Sequence, residues 1–366
     1  MMRYTCMLLL AMIIMVFGCK KEKSNEEAPD MVKQVTAGSD QTFFIKNSQS
    51  LLATGFNGYG TLGDGSLVNK STAAKVAANV KNVATAYQHT LIVKSDNTLW
   101  ATGINSYGQL GDGTTTARTM PVQVMTNVKA IAAGESYSLI LKTDNSLWAA
   151  GVNFSGQLGD GTTTAKTTPV QIMTNVSAMA TGVSHSLILK TDNTLWVTGA
   201  NNFGQLGDGT FTNKNLPVQI MTNVSAITAG RHFSLIVKTD NSLWATGYNI
   251  AGQLGDGSNV NKNTPVLIMP NVRSVSAGGE HALIVKNDNT LWVAGFNAAG
   301  QLGDGTTTNR HTPVQVMTNV KAMAGGTNHT IIIKTDNTVW ASGQNTYGQL
   351  GNGSTISSSS FVKINL

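Results

Sequence analysis

A glycine-rich phrase running from Thr102 to Gly113, T-G-I-N-S-Y-G-Q-L-G-D-G, recurs along this chain at a spacing that never slips. Its leading glycine stands at 55, 103, 151, 199, 247, 295 and 343, each 48 residues after the last. Tryptophan keeps the same interval at 100, 148, 196, 244, 292 and 340, with Leu52 in its place in the first copy. All six tryptophans of the chain thus occupy one structural position. A period of this length marks an array of one supersecondary unit, each too small to bury its apolar face alone. Seven such units fill residues 31–366 without remainder, and they form one domain.

A single unit, Asn127–Thr174, reads as four short strands. Val128–Gly134 is small and apolar, which suits a strand close to an axis. Ser138–Lys142 is an apolar run ending in a charge, as for a strand covered on both faces. Thr143-Asp144-Asn145 supplies turn chemistry, and Leu147–Gly151 returns as a third strand. After a longer connection, Pro169–Ile172 reads as the fourth, with proline at its first position. No stretch has a helical period. Four strands per unit repeated seven times predict an all-β, seven-bladed β-propeller of antiparallel blades. An open β-solenoid is the other architecture to weigh. Closure of the ring is expected from pairing of the two ends, with Phe361–Leu366 beside Met31–Val35.

The combination of G-x-N-x-x-G-Q-L-G-D-G (Gly103–Gly113) with the A-G-x-x-H-[ST]-L and L-W-x-x-G patterns resembles the repeats of the regulator-of-chromosome-condensation family, over all seven units. The resemblance implies a seven-bladed propeller. Thr61, Asn352, Ala86 and Leu52 depart from the repeat where it has Gln, Asp, Gly and Trp. Nuclear members of that family exchange nucleotide on a small GTPase through protruding elements, whereas the loops here share one length. Other bacterial propellers of similar repeat inhibit β-lactamases through one face.

Residues 1–30 differ from the rest. Arg3 precedes the apolar run Met7–Phe17, which is too short for a bilayer-spanning helix and reads as an export signal. Val16-Phe17-Gly18-Cys19 resembles a lipoprotein cleavage site, although Phe17 is bulky for it. The resemblance implies a signal peptide at 1–18, lipid attachment at Cys19 and a charged tether at 19–30. The expected location is the cell envelope, outer membrane or cell surface, with the periplasmic face as the alternative. Cys6 and Cys19 are the only cysteines, so residues 31–366 have no disulfide, thiol nucleophile or thiolate metal site.

Of 25 Lys/Arg and 19 Asp/Glu, four of each lie in residues 1–30, leaving 21 and 15 in the repeats. Spread over so large a domain the surplus is mild, and with no groove-reading motif it argues against nucleic acid. A six-fold cationic series, Lys70, Arg118, Lys166, Lys214, Lys262 and Arg310, forms a candidate basic ring for an anionic polymer or lipid. It follows the aspartates of the G-D-G phrase by six residues, so mutual neutralisation is the alternative. Those aspartates read as loop caps rather than calcium ligands, since each loop offers one carboxylate. His89, His185, His281 and His329 share a position held elsewhere by Gln41, Tyr137 and Phe233. Phenylalanine could not serve as a metal ligand there, and the reading is packing between blades.

Antiparallel strands sort the loops by face. The hairpin turns and inter-unit links are monotonous, whereas the opposite face varies from copy to copy. The pair before the histidine position includes Tyr87-Gln88, Glu135, Arg231-His232, Glu280 and Asn328. The long loops add Tyr59, Tyr107, Phe154, Phe203, Tyr248 and Tyr347. Unlike loops on a fixed scaffold are natural carriers of specificity, and aromatic anchors among polar residues fit a recognition surface. The expectation is a monomeric, non-catalytic scaffold that binds a protein or polysaccharide, with no cofactor or metal and with membrane contact through its lipid alone. The alternatives are an enzyme with its site on the same face, for which Arg231-His232 with Glu135 or Glu280 is the one unusual ionisable set, or a protein inhibitor.

Overall fold

The computed structural model describes residues 30–366. The signal peptide, Cys19 and all but the last residue of the tether lie outside the described residues. The described chain forms 28 strands in seven four-stranded antiparallel sheets, a seven-bladed propeller. Blade 3 is typical, with strands Val128–Ala133, Tyr137–Lys142, Leu147–Gly151 and Lys166–Met173 running from the axis outward.

The outer strand begins at Lys166, three residues before the start expected at Pro169. Its ladder with the third strand breaks register between Ala149 and Gly151. Proline is therefore accommodated inside the strand, at an irregularity on the blade's open edge, where no ladder bond is lost. Turn chemistry follows the sequence closely. Asn145 in the hairpin and Asn127 in the inter-blade link take φ of 64° and 60°, a region in which asparagine is tolerated better than most residues.

The two ends do not pair, contrary to expectation. Every blade is one unbroken segment, with Val32–Ala37 and Ser358–Ile364 in different sheets. The cause is the phase of the repeat, which starts on an innermost strand and ends on an outermost one. The ring closes by packing instead. Val32, Val35 and Phe44 of blade 1 share one apolar cluster with Ile331, Ile333 and Ile364 of blade 7. Each of the other junctions has its own cluster, such as Leu91, Val93 and Leu110 of blade 2 against Val128 and Ile140 of blade 3. The seven clusters found among the described residues lie within residues 32–364, so each blade-to-blade core is built from the propeller's own side chains.

The histidine position latches neighbouring blades, as the sequence suggested. Nε2 of His89, His185 and His281 lies 3.0–3.1 Å from Ser138, Ser234 and Thr330 Oγ of the next blade, and His329 reaches Thr42 Oγ1 across the closure at 2.9 Å. These hydroxyls in turn donate to loop carbonyls, for example Ser138 to Gln109 at 2.6 Å. Tyr137 and Phe233 occupy the same position, fully buried.

Burial pulls the imidazoles of His89 and His329 down to about 4, and those of His185 and His281 to about 3. An unfolded chain protonates these rings near pH 6.5, whereas the folded one resists down to 3–4. Stability should therefore be level above pH ~7 and fall as pH drops from ~6.5 to ~4, by at most ~1.4 kcal/mol per histidine per pH unit. Urea unfolding midpoints at several pH values measure this. His185→Phe, which copies blade 5, should flatten the slope by roughly a quarter.

Candidate functional site

The variable face is assembled by backbone chemistry common to all blades. The glycine ending each third strand lies under the turn that joins the first two. At Gly103 (φ 108°) a Cβ would come within 2.3 Å of the Gln88 carbonyl. That carbonyl accepts the amide of Ile104 at 2.8 Å, and Glu280 accepts that of Phe296 at 2.8 Å. The varied pair before the histidine position and the head of the long loop are thus held together in every blade. Gln88 and Glu280 contribute their main chain here, and Asn328 Nδ2 donates to Gln344 Oε1 at 3.0 Å.

Around the axis, backbone bonds tie neighbouring turns. Ser39 N donates to Ala86 O, Val183 N to Arg231 O, Arg231 N to Gly279 O, Gly279 N to Gly326 O, and Thr327 N to Gly38 O, at 2.8–3.2 Å. Among the described residues no such bond joins blade 2 to blade 3 or blade 3 to blade 4. The face therefore has a sealed arc and an unsealed sector. Ala86 stands in that sector in place of the repeat's glycine, and its turn bond to His89 O stretches to 3.4 Å, against 2.8 Å at Gly182. A Cβ at Gly182 would lie 2.2 Å from the His185 ring, so a methyl group here must push the turn outward.

Two cavities meet in the unsealed sector. One, of about 210 Å³, is the axial opening, where Tyr87, Glu135 and Arg231 stand among small residues of the first strands. The other, of about 180 Å³, lies beside it between Tyr107, Glu135, Phe154 and Val183, with Ser136, Ser184 and Gln157. Tyr107 and Phe154 meet edge to face at 5.7 Å and remain 44% and 64% exposed; Tyr87 is 47% exposed. Glu135 belongs to both cavities.

The other aromatic candidates gather elsewhere on the face. Phe203 meets Tyr248 edge to face and His232 at a tilt, each at 5.0 Å, across the junction of blades 4 and 5. Burial, then the charge of Arg231, lowers the His232 imidazole below its ordinary range. Tyr59 and Tyr347 are joined through Phe56, at 5.3 and 5.0 Å. These groups spend their ring faces on one another, unlike Tyr87, for which no ring partner occurs among the described residues. Gln157 carries no distinguishing signal along the chain, since glutamine recurs in six of the seven loops and reads as structural. Its Oε1 takes the Ser155 amide at 3.0 Å, and only its place at the unsealed sector gives it a cavity to line.

The candidate basic ring is neutralised. Each of its six cations pairs with the aspartate six residues earlier, from 2.7 Å at Lys70–Asp64 to 3.3 Å at Lys262–Asp256. Arg118 and Arg310 reach Asp112 and Asp304 at 2.8 and 2.7 Å, Lys166 and Lys214 reach Asp160 and Asp208 at 3.2 Å. These cations open the outer strands rather than lie in the loops. The aspartates are loop caps. Asp112 Oδ1 accepts the Thr114 amide at 3.0 Å and Asn105 Nδ2 at 3.0 Å, while Asn105 Oδ1 takes the Leu110 amide. Burial opposes the charged form of Asp64, but hydrogen bonds from Lys70, Ser66 and Asn57 outweigh it and hold the carboxyl at about 2.

Asn352 already shows the cap without the charge, accepting Ser354 N at 3.1 Å and Asn345 Nδ2 at 3.2 Å. Asp112→Asn should therefore cost no more than ~1 kcal/mol, the worth of a partly exposed ion pair. Asp112→Ala should cost about 2–4 kcal/mol by leaving buried donors unmet. Urea unfolding of both variants distinguishes cap from charge.

A closed seven-bladed ring with one irregular face is the class of protein these features define. The RCC1-like domain model matches residues 127–365, and the regulator of chromosome condensation (RCC1) repeat matches 96–141 and 80–109. The chain belongs to the RCC1-like propeller family. Among solved structures, Prp20p of Saccharomyces cerevisiae superposes with a TM-score of 0.78 at 20% identity, covering 92% of this chain and 88% of that one. Human WBSCR16 superposes with a TM-score of 0.75 at 21% identity, covering 84% and 87%. At these identities the likeness is one of fold. A sequence comparison with curated proteins returned no match.

Proposed function

We propose that this chain is a lipid-anchored, non-catalytic binding propeller of the cell envelope, and that it captures a protein or polysaccharide through the unsealed sector of its variable face. The observation that carries the reading is the convergence of exposed Tyr87, Tyr107 and Phe154 with Glu135 on two adjoining cavities, on a scaffold that is otherwise uniform. Exposed aromatic rings beside a few polar groups are what recognition surfaces are built from. The fold gives a protein ligand a precedent, since Prp20p binds Gsp1p and histones.

Binding is favoured over catalysis by the placement of the ionisable groups. Glu135 and Arg231 border the axial opening, but His232 packs against Phe203 and its imidazole is displaced toward the neutral form. A nucleophile, a base and an oxyanion donor within reach of one atom would be needed for the enzymatic alternative. The axial opening offers an acid and a guanidinium beside hydroxyl groups.

A photo-crosslinking residue at position 154 or 87 should trap a ligand from the native envelope, and one at position 168, on an outer strand, should not. Tyr107→Ala with Phe154→Ala should reduce capture ~100-fold or more, as for buried aromatic anchors, with little change in unfolding midpoint. Equal trapping from position 168 would sink the assignment of the face. Anchoring is tested separately: Cys19→Ser should move the protein from the membrane to a soluble exported fraction, as measured by fractionation.

A further inference from the structure

The fold gathers onto one face a charge surplus that the sequence suggested was spread thinly. Five cations, Lys33, Lys81, Lys129, Arg273 and Lys321, hold the second position of a first strand and are exposed. Seven more lysines, Lys46 and every forty-eighth residue to Lys334, end the second strands. Both positions lie at the hairpin end of the blades, as the pairing of Val32 with Lys46 shows. Against these twelve stand six turn aspartates, Asp96 to Asp336 at the same interval, and Asp30. The opposite face has Asp40, Glu135 and Glu280 against Arg231, its remaining charges cancelling in the loop ion pairs.

The turn aspartates offset only part of this charge, six carboxylates against twelve cations. Asp96 is engaged as a cap, accepting the amide and hydroxyl of Thr98 at 2.9 and 2.7 Å, and the same geometry recurs at Asp144 and Asp192. The ion pairs found among the described residues all belong to the long loops. Lys94 instead lies 4.4 Å over the Trp100 ring, and the five later lysine–tryptophan pairs lie at 5.4–5.9 Å. Lys81, Lys129 and Lys321 donate to the neutral amides of Asn97, Asn145 and Asn337 at 2.7–2.8 Å. A ring face or an amide leaves the positive charge in place.

The arrangement also has a direction. The five exposed cations come from blades 6, 7, 1, 2 and 3, an unbroken arc centred on blade 1. Blades 4 and 5, on the far side, carry Ser177 and Ser225, whose hydroxyls turn back onto the carbonyls of Lys190 and Lys238. Met31, the first residue of blade 1, lies at this face, since its carbonyl accepts the Asn47 amide of the hairpin at 2.9 Å. The segment that precedes it in the chain includes the apolar run Met7–Phe17 and Cys19.

We infer that the hairpin face docks on an anionic lipid surface, with the cationic arc against the headgroups nearest the point of attachment and the variable face turned away from the bilayer. The occupant is specified by charge complementarity between the cationic arc and anionic headgroups. A uniform face suits it, because a headgroup layer is itself uniform and asks for charge rather than shape. This docking needs neither a ligand on the variable face nor the lipid on Cys19, so its failure leaves the proposed function standing.

The test is sedimentation of residues 31–366 with phosphatidylcholine vesicles containing about one-third phosphatidylglycerol, at about 0.05 and 0.5 M salt. Binding is expected at low salt, lost at high salt and absent with phosphatidylcholine alone. Each Lys or Arg held at such a surface strengthens binding about fivefold, so changing Lys33, Lys81, Lys129, Arg273 and Lys321 together to Gln should weaken it by ~100-fold or more. The matched variant Lys70→Gln, Arg118→Gln, Lys166→Gln, Lys214→Gln, Lys262→Gln, whose cations are already paired, should keep it. Circular dichroism melts of both variants show that they are folded. No sedimentation at low salt, equal binding to neutral vesicles, or full binding by the hairpin-face variant would overturn the inference. So would displacement from the vesicles by polyphosphate at equal charge, which would indicate an anionic polymer instead.

Discussion

No blade of this protein can bury its apolar surface without the next one. Each cluster of valine, leucine and isoleucine belongs half to one blade and half to its neighbour, and the last belongs to blades 7 and 1. An open row of the same units would leave two such half-clusters facing water, at roughly 25 cal/mol for every Å² of apolar surface. Closure follows from that asymmetry, and at four of the seven junctions a buried imidazole–hydroxyl latch also ties one blade to the next.

The repeat made the fold legible from the sequence. The glycine and tryptophan interval sets the number of blades, and the apolar runs place the inner three strands within a residue or two of their observed bounds. Two features were hidden for physical reasons. The start of the outer strand at Lys166 was obscured by Pro169, because a bulge lets proline sit inside an edge strand. The manner of closure depends on the phase of the repeat relative to the blade, which a strictly periodic sequence does not reveal.

The candidate site was legible only as a list of dissimilar residues. Tyr87, Tyr107, Phe154 and Glu135 stood out no more than Phe203, Tyr248 or Tyr59 did. What separates them is the pattern of backbone bonds around the axis, which leaves the turns of blades 2 and 3 untied to the blade that follows. Ala86 gives one local reason, since its methyl group occupies space that glycine leaves to the neighbouring ring in other blades. The basic ring illustrates the converse. A conspicuous series along the chain turned out to be paired with its own aspartates, while the surplus is divided between two strand positions at the hairpin ends.

Because every sheet is made from one continuous stretch of chain, the circle has no built-in seam. The junction between blades 7 and 1 has its own apolar cluster and an imidazole–hydroxyl latch, as the junction between blades 2 and 3 does. The numbering of the blades, and so the orientation of any irregularity around the rim, is fixed only by the residue at which the polypeptide happens to come in. Moving that point by one unit would leave the wheel unchanged and rotate its cargo of unlike side chains by a seventh of a turn relative to whatever holds it.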